Sequence, residues 1–134
     1  MDLLVSTDWL AENLGADDLC IVDATAFMPG SDRDAAAEYA AQHIPGAVFL
    51  DLANLSDLDD PRPNMVPSAQ QFAAHVEALG IGHDRRIVLY DNSPMGSAAR
   101  GWWLFDIFGA RAVGILDGGL RKWLAEEHPV ESGR

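Results

Sequence analysis

The sequence predicts an α/β domain in which a mostly parallel central sheet carries helices on both faces. Two observations lead there. Short uninterrupted apolar runs, such as Leu19 to Val22 and Ile87 to Tyr90, read as strands covered on both sides. Helical patterns alternate with these runs along the chain, as crossovers between parallel strands require. At 134 residues, about half of them apolar, the chain has the usual size of one domain with its own core.

Ser6 is placed to cap a short amphipathic helix that runs to Leu14 and stops at Gly15. The first strand follows at Leu19 to Val22. Asp34 to Gln42, rich in alanine, reads as a second helix, and Ala47 to Leu50 as a second strand ending at Asp51. Ser68-Ala-Gln-Gln71 matches a capping box, in which the two side chains satisfy each other's orphan backbone donors, and it opens a helix that Gly80 ends. Then come the strand Arg86 to Tyr90, the helix Ser97 to Phe108 closed by Gly109, the strand Ala112 to Leu116 and the helix Leu120 to Glu127. Met28 to Asp32 and Asp57 to Pro67 are dense in turn formers. The second holds three prolines, which remove backbone donors and fix φ, so it reads as a surface loop.

A formal charge of −12 suits neither nucleic acid nor an anionic membrane surface, both of which attract basic patches. No apolar run approaches the ~18 residues of a spanning helix. Met1-Asp2-Leu3 lacks the basic flank and apolar stretch of a secretory signal, so a cytoplasmic location is expected. Cys20 is the single cysteine, which excludes an internal disulfide.

Ligands of open parallel sheets bind beyond the carboxyl ends of the strands, and four strands end in aspartate: Asp23, Asp51, Asp91 and Asp117. Such an aspartate either accepts hydrogen bonds from turn and helix amides or joins other carboxylates around a divalent cation. Phosphoryl-accepting receiver domains share this size and acidity. Their site wants adjacent acidic residues after the first strand and a lysine after the last, whereas Ala24 follows Asp23 and Lys122 lies within the final helix.

The loop Asp91 to Ser97 joins a buried strand to a helix, and its amides would cradle an anion at its start. A cysteine at position 91 would be held there as a thiolate. Asp91 can occupy the cradle and cap the helix, but it cannot carry sulfur. With aspartate at position 91 and serine at 97, a Cys-x5-Arg phosphatase pattern fails at both ends. Cys20 lies within a strand, in apolar surroundings that favour an unreactive neutral thiol. His43, His75, His83 and His128 are too scattered for zinc ligation, and no metal is expected. In His43-Ile-Pro-Gly-Ala47 the ring is placed to brace a turn in which Pro45 fixes φ and Gly46 accepts a positive φ.

Four segments, in this order, resemble the rhodanese-like sulfurtransferases. They are Ile21-Val-Asp-Ala24; His43-Ile-Pro-Gly-Ala47 with Phe49-Leu-Asp51; Val88-Leu-Tyr-Asp91 running into Ala99-Arg-Gly-Trp-Trp-Leu-Phe105; and Leu116-Asp-Gly-Gly-Leu-Arg-Lys-Trp123. The resemblance spans essentially the whole chain and is greatest to the amino-terminal half of tandem-domain thiosulfate and 3-mercaptopyruvate sulfurtransferases. It implies a rhodanese-like three-layer fold over residues 1–127, with 128–134 starting a linker to a second domain. It also implies that no cofactor is needed. Such enzymes move sulfane sulfur from a donor to a thiol or cyanide through a persulfide on a cysteine of the carboxyl-terminal domain, while the amino-terminal domain usually carries aspartate at the equivalent place. Asp91 therefore fits the non-catalytic type.

On this reading the partner is a catalytic second rhodanese domain, which handles the small sulfur donor and thiol acceptor. The isolated chain would be inactive and, with its docking face uncovered, would self-associate. Site-lining or structural candidates are Asp23, His43, Asp51, Asn64 and Arg100. Mercaptopyruvate-type members usually carry an acidic residue two positions after the Phe-x-Asp aspartate and a histidine before Met-Leu-Pro. Here those places hold Ala53 and Asn64, so a pair that would assist proton transfer is missing. Arg100 matches the arginine that follows the active loop and is expected to pair with Asp91 or a neighbouring strand-end carboxylate. A rival reading is a free-standing binding module that uses its acidic strand-end face to recognise a protein or an anion carrier.

Overall fold

A computed structural model describes residues 4–27, 32–50, 69–81, 85–92, 96–107, 109 and 112–132 of the chain. Its elements alternate: β1 (Leu4–Val5), α1 (Thr7–Asn13), β2 (Leu19–Asp23), α2 (Ala35–Ala41), β3 (Val48–Phe49), α3 (Ala69–Ala78), β4 (Arg86–Tyr90), α4 (Ala98–Ile107), β5 (Ala112–Leu116) and α5 (Gly119–Ala125). The strands form one sheet in the order β1-β5-β4-β2-β3, and every pair is parallel. This is the expected α/β class, with the sheet wholly rather than mostly parallel among the described residues.

The most buried strand, β4, lies at the centre, and its side chains alternate between two cores as the pleat requires. Ile87 and Leu89 enter the core under α3 and α4, where Phe72 meets Phe105 edge-on at 5.1 Å. Val88 and Tyr90 enter the other, with Leu10 of α1, Tyr39 of α2 and Trp123 of α5. Both faces of the sheet are therefore covered, which is why the strands read as unbroken apolar runs.

Ser6 caps α1 as expected, its hydroxyl accepting the Trp9 amide at 3.0 Å, and Gly15 takes φ +85° just beyond the helix. The edge strand β1 was not foreseen, because two residues are too short to show a period. It exists through pairing with β5, which only the folded chain brings alongside. The ladder of β3 is shorter than the expected Ala47 to Leu50. Ala47 is used in the preceding turn, its amide donating to Ile44 O at 2.9 Å, while Leu50 still donates to Asp23 O.

Helix α5 ends at Ala125 rather than Glu127. The amides of Glu127 and His128 turn back to the carbonyls of Leu124 and Trp123, and Glu127 adopts φ +60°. This is a Schellman ending with glutamate in the slot that glycine usually fills. Beyond it the chain folds back onto the domain. His43 and Glu131 exchange backbone hydrogen bonds of 2.8 Å each way, and the Trp123 indole donates to Pro129 O at 2.7 Å.

Cys20 lies within β2 as expected, but it is half-buried rather than fully enclosed. Among the described residues, strand β3 pairs only with Val22 and Asp23 of β2 and does not extend beside Cys20. The capping serine Ser68, the loop Asp57 to Pro67 and the loop Met28 to Asp32, except Asp32, lie outside the described residues.

Candidate functional site

The carboxyl edge of the sheet brings together the ends of β2 and β4 with the starts of α4 and α5. Asp91 follows β4, and its Oδ2 accepts the amide of Ala98 at 2.7 Å. That amide is the first of α4, one of the donors a helix leaves without an internal partner. Ser97 precedes the helix but points back across the sheet edge. Its hydroxyl donates to Ala24 O at 2.7 Å and accepts the Ala26 amide at 2.9 Å. Thr25 adds a second stitch, since its hydroxyl donates to Asp23 Oδ1 and accepts the Asn92 amide at 3.0 Å. The backbone of Asp91 is also held from the α5 side, where its carbonyl accepts the Leu120 amide at 3.0 Å. Gly119 makes that approach possible, because a Cβ there would lie 2.6 Å from Asp91 O.

Asp23, the last residue of β2, is buried and takes both the amide and the hydroxyl of Thr25 on one carboxylate oxygen. Burial pushes its pKa up from the ordinary carboxylate value, and the nearby charge of Asp91 acts in the same direction. The hydrogen bonds from Thr25 and Tyr90 oppose both. Tyr90 is itself pushed far up by burial and by the facing carboxylate, so it remains a neutral phenol. A cavity of about 110 Å³ opens beside Asp23, lined by Thr25, Glu38, Gln42, Asn92 and Leu120. Arg33 braces its rim, with two contacts to Glu38 at 2.7 and 2.9 Å and one to Asn92 O at 3.2 Å.

His43 does not line this cavity. Its buried ring stacks on Tyr39 at 4.1 Å, and Nδ1 is 2.8 Å from Tyr39 O. The turn it adjoins has Gly46 at φ +82°, in the geometry that Pro45-Gly46 encodes. Arg100 stands on α4 with its guanidinium over the Trp103 ring, 5.3 Å from the centroid. Cys20 lies three residues before Asp23 on β2, ~10 Å along the strand. Asp51 and Asn64 lie outside the described residues. Among the described residues no three metal-ligating side chains converge, and no helix is long and apolar enough to cross a membrane.

The described edge thus presents carboxylates, amides and hydroxyls, without a thiol or imidazole. Sequence reasoning did not single out Thr25, Tyr90 or Ser97. Thr25, two residues after a strand-end aspartate, and Ser97, just before a helix, carried weak local signals of side-chain to backbone bonding. Tyr90 read only as core.

A sequence profile of the rhodanese-like domain matches residues 6–126. The chain belongs to the rhodanese-like domain family. It is 46% identical over 129 residues to thiosulfate/3-mercaptopyruvate sulfurtransferase 1, mitochondrial, of Arabidopsis thaliana, a match covering 96% of this chain and 34% of that protein. To the 3-mercaptopyruvate sulfurtransferase of Homo sapiens it is 44% identical over 137 residues, covering 98% of this chain and 46% of that one. The crystal structure of a 3-mercaptopyruvate sulfotransferase from Escherichia coli superposes with a TM-score of 0.94 at 40% identity, covering 99% of this chain and 51% of that one. This rhodanese-like domain therefore spans between a third and a half of the length of the curated relatives it matches.

Proposed function

We propose that this chain is the non-catalytic half of a two-domain sulfurtransferase. In this role it covers one side of a partner rhodanese domain whose cysteine persulfide carries sulfane sulfur from thiosulfate or 3-mercaptopyruvate to a thiol or cyanide. The observation that carries the reading is Asp91. At the mouth of the β4–α4 loop, where a nucleophilic thiolate would be stabilised by helix amides, the chain places a carboxylate already bonded to the Ala98 amide. A carboxylate in that cradle cannot form a persulfide, so the chemistry falls to another domain. The large apolar side chains exposed among the described residues, Leu4, Trp103 and Val130, are available for contact with it.

Assayed with thiosulfate and cyanide, or with 3-mercaptopyruvate and a thiol, the chain alone is expected to transfer no sulfur. It is expected to bind a catalytic rhodanese domain supplied in trans. Thiocyanate formation that disappears in Cys20→Ser would overturn the inactive assignment. A strict monomer with no affinity for the second domain would overturn the partner assignment.

A further inference from the structure

We propose that His43 and Glu131 form a proton-dependent clasp that fastens the chain after α5 to the turn before β3. The geometry at the imidazole is the starting point. Nδ1 faces Tyr39 O at 2.8 Å, and a carbonyl only accepts, so in the neutral ring the proton sits on Nδ1. Nε2 then presents its lone pair, and what it meets is Oε1 of Glu131 at 3.3 Å. Two acceptors face each other beside a buried ring unless a proton lies between them. The same Oε1 also takes the Gly46 amide at 2.7 Å, and the backbones of residues 43 and 131 bond reciprocally at 2.8 Å. One carboxylate therefore joins the tail to both ends of the turn, and it does so without lone-pair repulsion only when a proton is held.

The other titratable groups around the turn are Tyr39 from α2, Tyr90 from β4, whose hydroxyl accepts the Ile44 amide at 3.3 Å, and Asp23 from β2. Burial raises the pKa of all three, and the group set against Nε2 is Glu131. The tail carries one further histidine, His128. Its Nε2 lies 3.7 Å from Glu126 Oε1 and 3.9 Å from Asp8 Oδ1 and has no hydrogen-bond partner among the described residues. It is a competing source of pH dependence that the test must separate.

A closed clasp that holds one more proton than the open tail is favoured at low pH and released as pH rises, by up to about tenfold per pH unit. Where a second domain follows, the clasp sets the point from which it hangs, but the clasp itself does not depend on that reading.

The experiment is amide hydrogen exchange by NMR on this chain, with protection at His43 and Glu131 corrected for intrinsic rates, from pH 5.5 to 8.5. Protection should fall at least about tenfold across that range. In Glu131→Gln the side-chain amide can donate to the neutral Nε2 while its oxygen keeps the Gly46 bond, so protection should stay high and flat. Glu131→Ala should be open throughout, and His128→Gln should keep the wild-type dependence. Flat protection in the wild type, a dependence that persists in Glu131→Gln, or one that vanishes in His128→Gln would overturn the proposal.

Discussion

The carboxylate of Asp91 and the amide of Ala98 are 2.7 Å apart, so the side chain that follows one strand caps the helix beginning seven residues later. The bond closes the β4–α4 loop on itself. Charge-assisted bonds of this kind contribute ~1.5 to 3 kcal/mol in protected settings, and Asp91 is only partly buried. Asp91→Ala should therefore cost about 1 to 2 kcal/mol, and Asp91→Asn, which keeps an acceptor, distinctly less. Urea denaturation of both variants checks this. Equal losses would show that the bond is not what matters.

The same cradle should activate a thiol. Asp91→Cys is expected to titrate below the ~8.5 of a free cysteine, because the Ala98 amide and the amino end of α4 favour its anion. Thiolate absorbance or pH-dependent alkylation reads the value directly. A thiol titrating at or above the free value would remove the physical basis for the proposed function.

Asp23 makes stability depend on pH with a definite sign. Burial raises its pKa in the folded chain above the ordinary 3.8, so the fold holds the proton more tightly than the unfolded chain does. The stability this contributes is complete below the unfolded value and is lost as pH rises through the folded one. Asp23→Asn removes the titration. The stability of the wild type relative to this variant should therefore decline as pH is raised from about 3.8, as followed by denaturation at a series of pH values. A flat or rising difference would mean that the carboxylate is better solvated than its burial implies.

Gly118 and Gly119 both have positive φ, at +83° and +62°, and neither should tolerate a side chain. A methyl group on Gly118 would lie 2.5 Å from Lys122 Cβ, which the α5 backbone holds in place. On Gly119 it meets the backbone oxygen of Asp91, which the sheet holds in place. Gly118→Ala and Gly119→Ala should each cost about 2 kcal/mol or more from strain and overlap together. Thermal unfolding of the two variants checks this, and an unchanged midpoint in either would show that the turn yields.

Much of this was legible in the chain itself, for identifiable reasons. Arg86 to Tyr90 and Ala112 to Leu116 were found to the residue because strands covered on both faces must be apolar throughout. Ser6 and the Pro45-Gly46 turn were found because capping and turn chemistry are local, whereas Asp34, read as the first residue of its helix, is the cap before it. Two-residue β1 left no period to read, and the early end of α5 depends on Glu127 accepting a conformation its residue type disfavours. At the site, Asp91 was legible as a cap in place of a nucleophile. Arg100 was expected beside a strand-end carboxylate, and the contact described for it is the face of Trp103.

By itself, then, the sequence determined the class, the alternation of elements and the absence of a thiol at position 91, all of which follow from residue type and near-neighbour spacing. Only the tertiary structure decided which distant groups meet. Ser97 reaches Ala24 and Ala26 across 73 and 71 residues, Thr25 reaches Asn92, and Glu131 returns to His43. Each of these contacts joins segments that the parallel order β1-β5-β4-β2-β3 or the back-folded tail brings side by side. Hydrogen bonding of this kind is set by where the backbone passes in space, which no local pattern of residues encodes.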